Sequence, residues 1–162
     1  MTSVDTVSLT EIEQFLYREA RFADEHDYDG WESLWTDDGY YWIPGGGRSD
    51  TDPDTQMSIA YDNRSRIALR VAQLKSGKRH SQSPPSSVRR MISNVELMGV
   101  DGADYLVGAN FLAVESRERG TTIWAGRLEY RLRRLDGELK MAGKKVSLVD
   151  RDRALFTLAF LV

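Results

Sequence analysis

From about residue 88 onward the chain abandons helical spacing for long runs in which apolar and polar side chains alternate, and this limits what the preceding residues can build. Trp124, Gly126, Leu128, Tyr130 and Leu132 share one side of such a run, while Arg127, Glu129, Arg131 and Arg133 share the other. That is the pattern of a half-buried strand. Val88–Met98, Tyr105–Ser116, Thr121–Leu135 and Glu138–Asp150 read as four strands, with Asp101-Gly102 and Asp136-Gly137 as turns between them. The second turn is flanked by apolar alternation and signals a hairpin. Tyr105–Val114 is apolar on both faces: Tyr105, Val107, Ala109, Phe111 and Ala113 on one, Leu106, Leu112 and Val114 on the other. A strand of that kind is expected to be covered on both sides.

Ahead of these strands the period is helical. Ser8 lies three residues before Glu11, the spacing of a capping box, and opens a stripe of Ile12, Phe15, Leu16, Phe22 and Ala23. Glu11, Glu13, Arg18 and Glu25 fall outside the stripe. Tyr28, Trp31, Leu34 and Trp35 predict a second helix from Tyr28 to Asp37, and Tyr40–Ile43 a short strand within Gly39–Pro44. A third helix is expected over Asp62–Ser76, with Ile67, Val71 and Leu74 inward, an Asp62–Arg66 surface pair and Gly77 as its stop. Gly45–Thr55 reads as a loop, Lys78–Ser87 as a polar connection, and the first seven residues as loose. Two aromatic amphipathic helices in succession need a sheet to lie on, so the expectation is one α+β domain over residues 1–162. Three helices cover one sheet face. The other face and the uncharged tail Leu155–Val162 point to burial against another chain, with an inner strand as the plainer reading of the tail.

Composition narrows the chemistry. The chain has 22 basic and 25 acidic residues in 162, no cysteine and two histidines, His26 and His80. Without cysteine there is no disulfide, thiol nucleophile or thiolate-held iron–sulfur cluster, and two histidines cannot make a three-histidine metal site. The charge balance argues against a nucleic-acid surface. No signal-like segment and no membrane-length apolar run stand out, so a cytoplasmic protein is expected. Gly45–Gly47 lacks the helix opening that a phosphate loop needs, and the Asn63-Arg64-Ser65 sequon sits at a helix start. The arginines of Arg127–Arg134 read as a solvated or interface face. His26, His80 and a carboxylate could formally make a facial iron triad, but their spacing does not draw them together. An acid–base pocket drawn from His80, Asp62, Tyr61, His26 and Tyr40 is the alternative catalytic reading; it would make the chain a stand-alone dehydratase or isomerase.

Several segments carry a family likeness. They are Tyr61-Asp62-Asn63-Arg64, then Arg70-Val71, Leu74 and Gly77, then His80-Ser81-Gln82-Ser83-Pro84-Pro85-Ser86, then Arg89-Arg90 and Ser93-Asn94-Val95. With Glu13–Glu19, Asp24-Glu25, Trp35–Asp38, Asn110-Phe111, Gly126-Arg127, Tyr130–Leu132 and Lys144–Val146, they resemble the small (β) subunit of bacterial aromatic-ring-hydroxylating dioxygenases over nearly the whole chain. Asn63 and Ser83 depart from the family, where aspartates are usual. The resemblance implies a cystatin-like or nuclear-transport-factor-like cone: three amino-terminal helices on a strongly curved, mostly antiparallel sheet, as in scytalone dehydratase and ketosteroid isomerase. It also implies a non-catalytic assembly role, as a trimer bound to large (α) subunits. Those partners carry the Rieske [2Fe-2S] cluster and the mononuclear Fe(II), with electrons supplied from NADH for cis-dihydroxylation of an aromatic compound. No metal or catalytic residue is then expected in this chain. Tyr61, Asp62, Arg64, His80, Ser81, Gln82, Pro84, Pro85, Arg89, Arg90, Ser93 and Asn94 are its candidate interface and motif residues.

Overall fold

The computed structural model describes residues 6–45, 58–77, 86–150 and 160–162. Three helices, α1 (Leu9–Asp24), α2 (Tyr28–Glu32) and α3 (Arg64–Ser76), accompany six strands. The strands are β1 (Trp35–Pro44), β2 (Ser58–Asp62), β3 (Ser87–Asp101), β4 (Asp104–Arg117), β5 (Gly120–Leu135) and β6 (Glu138–Leu148). They form one sheet in the order β2-β1-β6-β5-β4-β3. Every neighbouring pair is antiparallel except β1 and β6, which run parallel. The helices pack on one face, α1 against β3 and α3 against β1. This is the expected α+β architecture.

Capping chemistry sets the helix boundaries. Ser8 accepts from the Glu11 backbone N–H at 3.1 Å and starts α1; Val7, just ahead, packs into the core. Asn63 does the same for α3 through the Arg66 N–H, so the helix starts at Arg64 and not at Asp62. Asp62 instead ends β2, a strand that its spacing did not reveal. Its partner is Arg70 at 2.6 Å, while Arg66 donates to the Tyr61 carbonyl. Gly77 closes α3 in the left-handed region at φ 65°, as expected.

The second helix is shorter than its spacing predicted. It stops at Glu32, and Trp35–Asp37 join β1. Met141 N–H donates to the Leu34 carbonyl at 2.7 Å, and Trp35 pairs with Met141, so β6 draws this segment into the sheet. The aromatic spacing still serves packing: Trp31, Trp35 and Tyr41 meet edge to face at 5.4–6.1 Å between ring centres.

The core lies between the helices and the inner sheet face, where Ile12, Phe15, Leu16, Trp31, Ile67, Val107, Leu128 and Leu132 are buried. Phe160, Leu161 and Val162 also insert there, Phe160 against Trp124. These three tail residues therefore pack on their own chain; residues 155–159 lie outside the described part. On the outer face of β4, Leu112 and Val114 are exposed in the single chain. The helices sit only on the inner side.

At the β3–β4 turn, Asp104 is buried and receives Arg133 at 2.6 Å and Arg131 at 3.0 Å. The Arg133 and Arg131 hydrogen bonds hold its carboxyl below the ordinary range, against the opposing effect of burial. A carboxylate lowered in the folded state stabilises above its unfolded pKa of about 4, and that contribution is lost as pH falls through the folded value. Asp104→Asn should therefore cost stability at pH 7 by about 1–3 kcal/mol. The gap to the parent chain should shrink steadily below pH 4, as read from urea midpoints across pH 2–7.

Candidate functional site

The sheet turns a set of charged side chains inward, and they meet where α1, α2, β1, β5 and β6 converge. Glu19 of α1 and Lys144 of β6 are fully buried and paired at 2.6 Å. The Tyr130 hydroxyl donates to Glu19 Oε1 at 3.0 Å, and the Trp31 indole N–H donates to Oε2 at 3.3 Å. Lys144 Nζ also stands 5.9 Å from the Tyr41 ring centre and 5.6 Å from that of Tyr130. Burial lowers the Lys144 pKa, with Glu19 opposing it, and raises that of Tyr130, with Glu19 adding to the rise. Tyr41 is pushed up to about 12, chiefly by burial. Its hydroxyl donates to the main-chain oxygen of Val162 at 3.0 Å and accepts from the Val162 N–H at 3.1 Å.

A second buried pair lies beside the first. Asp24 and Arg90, each with a side chain 3% exposed, meet at 2.7 Å. The other Asp24 oxygen accepts the Arg90 backbone N–H, and Arg90 Nη2 donates to the Leu161 carbonyl at 2.5 Å. His26 follows α1 in the left-handed region at φ 59°. Its Nε2 bonds the Ser86 carbonyl at 3.0 Å, and its Nδ1 meets the Tyr28 hydroxyl at 2.8 Å. The Ser86 hydroxyl donates to the buried Glu115, which also accepts from Trp124. The carboxyl end of α1 thus holds both Ser86 and Arg90, the two flanks of the start of β3.

The five residues of the alternative catalytic reading do not converge among the described residues. Asp62 faces inward, bound to Arg70. Tyr61 is exposed on the opposite face, edge-on to Trp42. Tyr40 lies on that outer face over Gly143, where an added Cβ would come within 2.4 Å of its ring. His26 is occupied at the far end of α1, and His80 lies outside the described residues, as do Ser81, Gln82, Ser83, Pro84 and Pro85. Of the other motif residues, Arg64 pairs with Glu32 at 3.1 Å, Arg89 and Ser93 are exposed, and Asn94 adopts φ 54° at a register shift in β3. A cavity of about 550 Å³ lies elsewhere, between α1 and the β5–β6 hairpin, bounded by Gln14, Phe15, Arg18, Leu34, Leu139 and Lys140.

This interior can fix elements in place, but among the described residues it offers no open acid–base pair: each buried carboxylate there already has a cation or several donors. No group of histidine and carboxylate side chains suited to a metal ion occurs among the described residues. With no cysteine in the sequence, the residues do not fit a Rieske cluster. Glu19, Asp24 and Lys144 lie in the family-like segments, but neither they nor Glu115 were among the candidate site residues, although their spacing carried the signal. Glu19 stands four residues from both Phe15 and Ala23, inside the apolar stripe.

The family model described as the ring-hydroxylating beta subunit matches residues 18–152. The small oxygenase component of the p-cumate 2,3-dioxygenase system of Pseudomonas putida is 29% identical over 88% of this chain and 79% of its own length. The benzoate 1,2-dioxygenase beta subunit of Acinetobacter baylyi is 30% identical over 78% of each. In three dimensions, the beta subunit of the benzoate 1,2-dioxygenase from Burkholderia mallei superposes with a TM-score of 0.76 at 26% identity, covering 91% of this chain and 94% of that one.

Lys144→Met should destabilise the chain by about 3–5 kcal/mol, since it strands the Glu19 carboxylate in the core. Adding Glu19→Gln should recover most of that loss, because the amide oxygen still accepts from Tyr130 and Trp31 and no charge is left unpaired. Urea unfolding of the single and double variants measures this. A double variant no more stable than the single one would refute the unpaired-charge argument.

Proposed function

The chain belongs to the ring-hydroxylating beta-subunit family, and from that premise we propose that it is the non-catalytic assembly subunit of an aromatic-ring-hydroxylating dioxygenase. In this reading the chain is one domain and associates as a trimer. It supports large subunits that carry the Rieske cluster and the mononuclear Fe(II), in an NADH-driven cytoplasmic system of aromatic catabolism. The observation that carries the reading is the match over residues 18–152 in a chain with no cysteine. Such a chain supplies no thiolate for a Rieske centre, so electron transfer falls to its partner.

The interior supports the same division of labour. Glu19–Lys144 and Asp24–Arg90 are closed ion pairs that tie helices to the sheet. The segment that most resembles the family, from His80 to Asn94, has its described flank anchored by His26, Glu115 and Asp24. Within it Arg90 serves the fold, while Arg89 and Ser93 are presented outward as contact residues; His80, Ser81, Gln82, Pro84 and Pro85 belong to the same proposed contact segment.

Co-expression with a large subunit bearing Cys-x-His and Cys-x-x-His pairs tests the proposal. The two chains should co-elute as one complex that dihydroxylates an aromatic ring, while the small chain alone should bind no iron and turn nothing over. Stoichiometric iron in the isolated chain, or turnover by it, would end this reading.

A further inference from the structure

Phe160, Leu161 and Val162 are buried, yet they belong to no helix and to none of the six strands. Among the described contacts, side chains of the core hold them. The Phe160 ring stands edge-on to Trp124 at 5.8 Å, and the Arg90 guanidinium carbon lies 5.7 Å from its centre. Arg90 Nη2 donates to the Leu161 carbonyl at 2.5 Å, and the Tyr41 hydroxyl meets both the N–H and the main-chain oxygen of Val162. These polar contacts all fall on main-chain atoms. They recognise an oxygen acceptor and an N–H, whatever side chains positions 161 and 162 carry.

Each of the three receiving side chains is fixed by something other than the tail. Asp24 holds Arg90 at 2.7 Å, Glu115 accepts from the Trp124 indole at 3.1 Å, and Trp31 and Trp35 stand edge-on to Tyr41. Groups fixed in advance lose little freedom when a ligand arrives. An apolar recess with a few convergent polar groups is also the usual composition of a small-molecule site. A core in need of filler alone is better served by apolar side chains, because a buried donor is costly once its acceptor is missing.

We infer that residues 160–162 are the resident occupant of a ligand site, one that takes an aromatic ring carrying a carbonyl-type oxygen. The ligand sets its ring against Trp124 and Arg90 in place of Phe160. Its oxygen takes the donors of Arg90 and Tyr41 in place of the tail's main chain. Departure of the tail by itself strands both donors, whereas exchange leaves neither unpaired, so tail and ligand exclude each other. A carboxylate and an amide both present such an oxygen, and they differ in charge. This is a binding role beyond assembly, and it requires no turnover by the chain.

Titration of the full chain with 3-phenylpropionate and with 3-phenylpropionamide tests the site. In amide spectra of the 15N-valine-labelled protein, millimolar probe should move the Val162 signal away from its hydrogen-bonded position. The signal of Val100, at the far end of β3, should stay in place. Phe160→Ala weakens the competing occupant, so calorimetry should show it binding the probe about tenfold more tightly than the parent chain does. Adding Tyr41→Phe should return about twofold to tenfold of that affinity. Replacing the probe by 3-cyclohexylpropionate, which has no π face, should weaken binding. Response to one probe alone supports the site and shows which oxygen it prefers. A Val162 signal unmoved by both probes would overturn the site, and that titration needs no variant to fold. Binding to Phe160→Ala that Tyr41→Phe leaves undiminished would overturn it too.

Discussion

The buried Glu19–Lys144 pair is the constraint around which the fold is arranged. Taking two charges out of water is expensive, and their attraction offsets the loss only where geometry and extra hydrogen bonds are good. Tyr130 and Trp31 supply those bonds, so one carboxylate ties α1, α2, β5 and β6 together. A one-residue slip of β6 would turn Lys144 outward and Lys145 inward, stranding Glu19. The pair thereby specifies the strand register more firmly than an apolar contact of the same volume could.

Neighbouring arginines illustrate how a strand divides labour. Arg89 and Arg90 differ by one position and so face opposite sides of β3. Arg90 closes on Asp24 and the Leu161 carbonyl in the interior, while Arg89 stands in water. The Asp24 carboxylate also takes the Arg90 backbone N–H, and His26 bonds the Ser86 carbonyl, so the end of α1 caps one stretch of the exposed β3 edge. An edge strand left bare invites indiscriminate pairing. Among the described residues this cover lies at the first residues of β3.

Much of this was legible in the residues. The four long strands, the capping of α1 and the left-handed stop at Gly77 follow from alternation and local hydrogen-bond chemistry. The short α2, the strand β2 and the long β1 were not legible, because each is decided by a distant partner. Trp35 follows helical spacing yet is claimed by Met141, more than a hundred residues away. The buried charges were half visible. Glu115 continues the inward alternation of Phe111 and Ala113, and Lys144 that of Val146 and Leu148. Charge alone would place both outside, and only their partners, Ser86, Trp124 and Glu19, explain why the alternation wins.

The parallel pairing of β1 with β6 has a temporal consequence. The antiparallel strands β3 to β6 are joined by tight turns and can zip up in sequence, each on the one before. The first strand can pair early with β2, but that two-stranded unit must wait for the last strand before it joins the rest of the sheet. Contacts that span so much of the chain close slowly. During that interval, Trp31, Trp35 and Tyr41 have only one another, the helices and β2 to pack on and lack the main sheet face, and the nascent chain is at its most vulnerable to clumping with others of its kind.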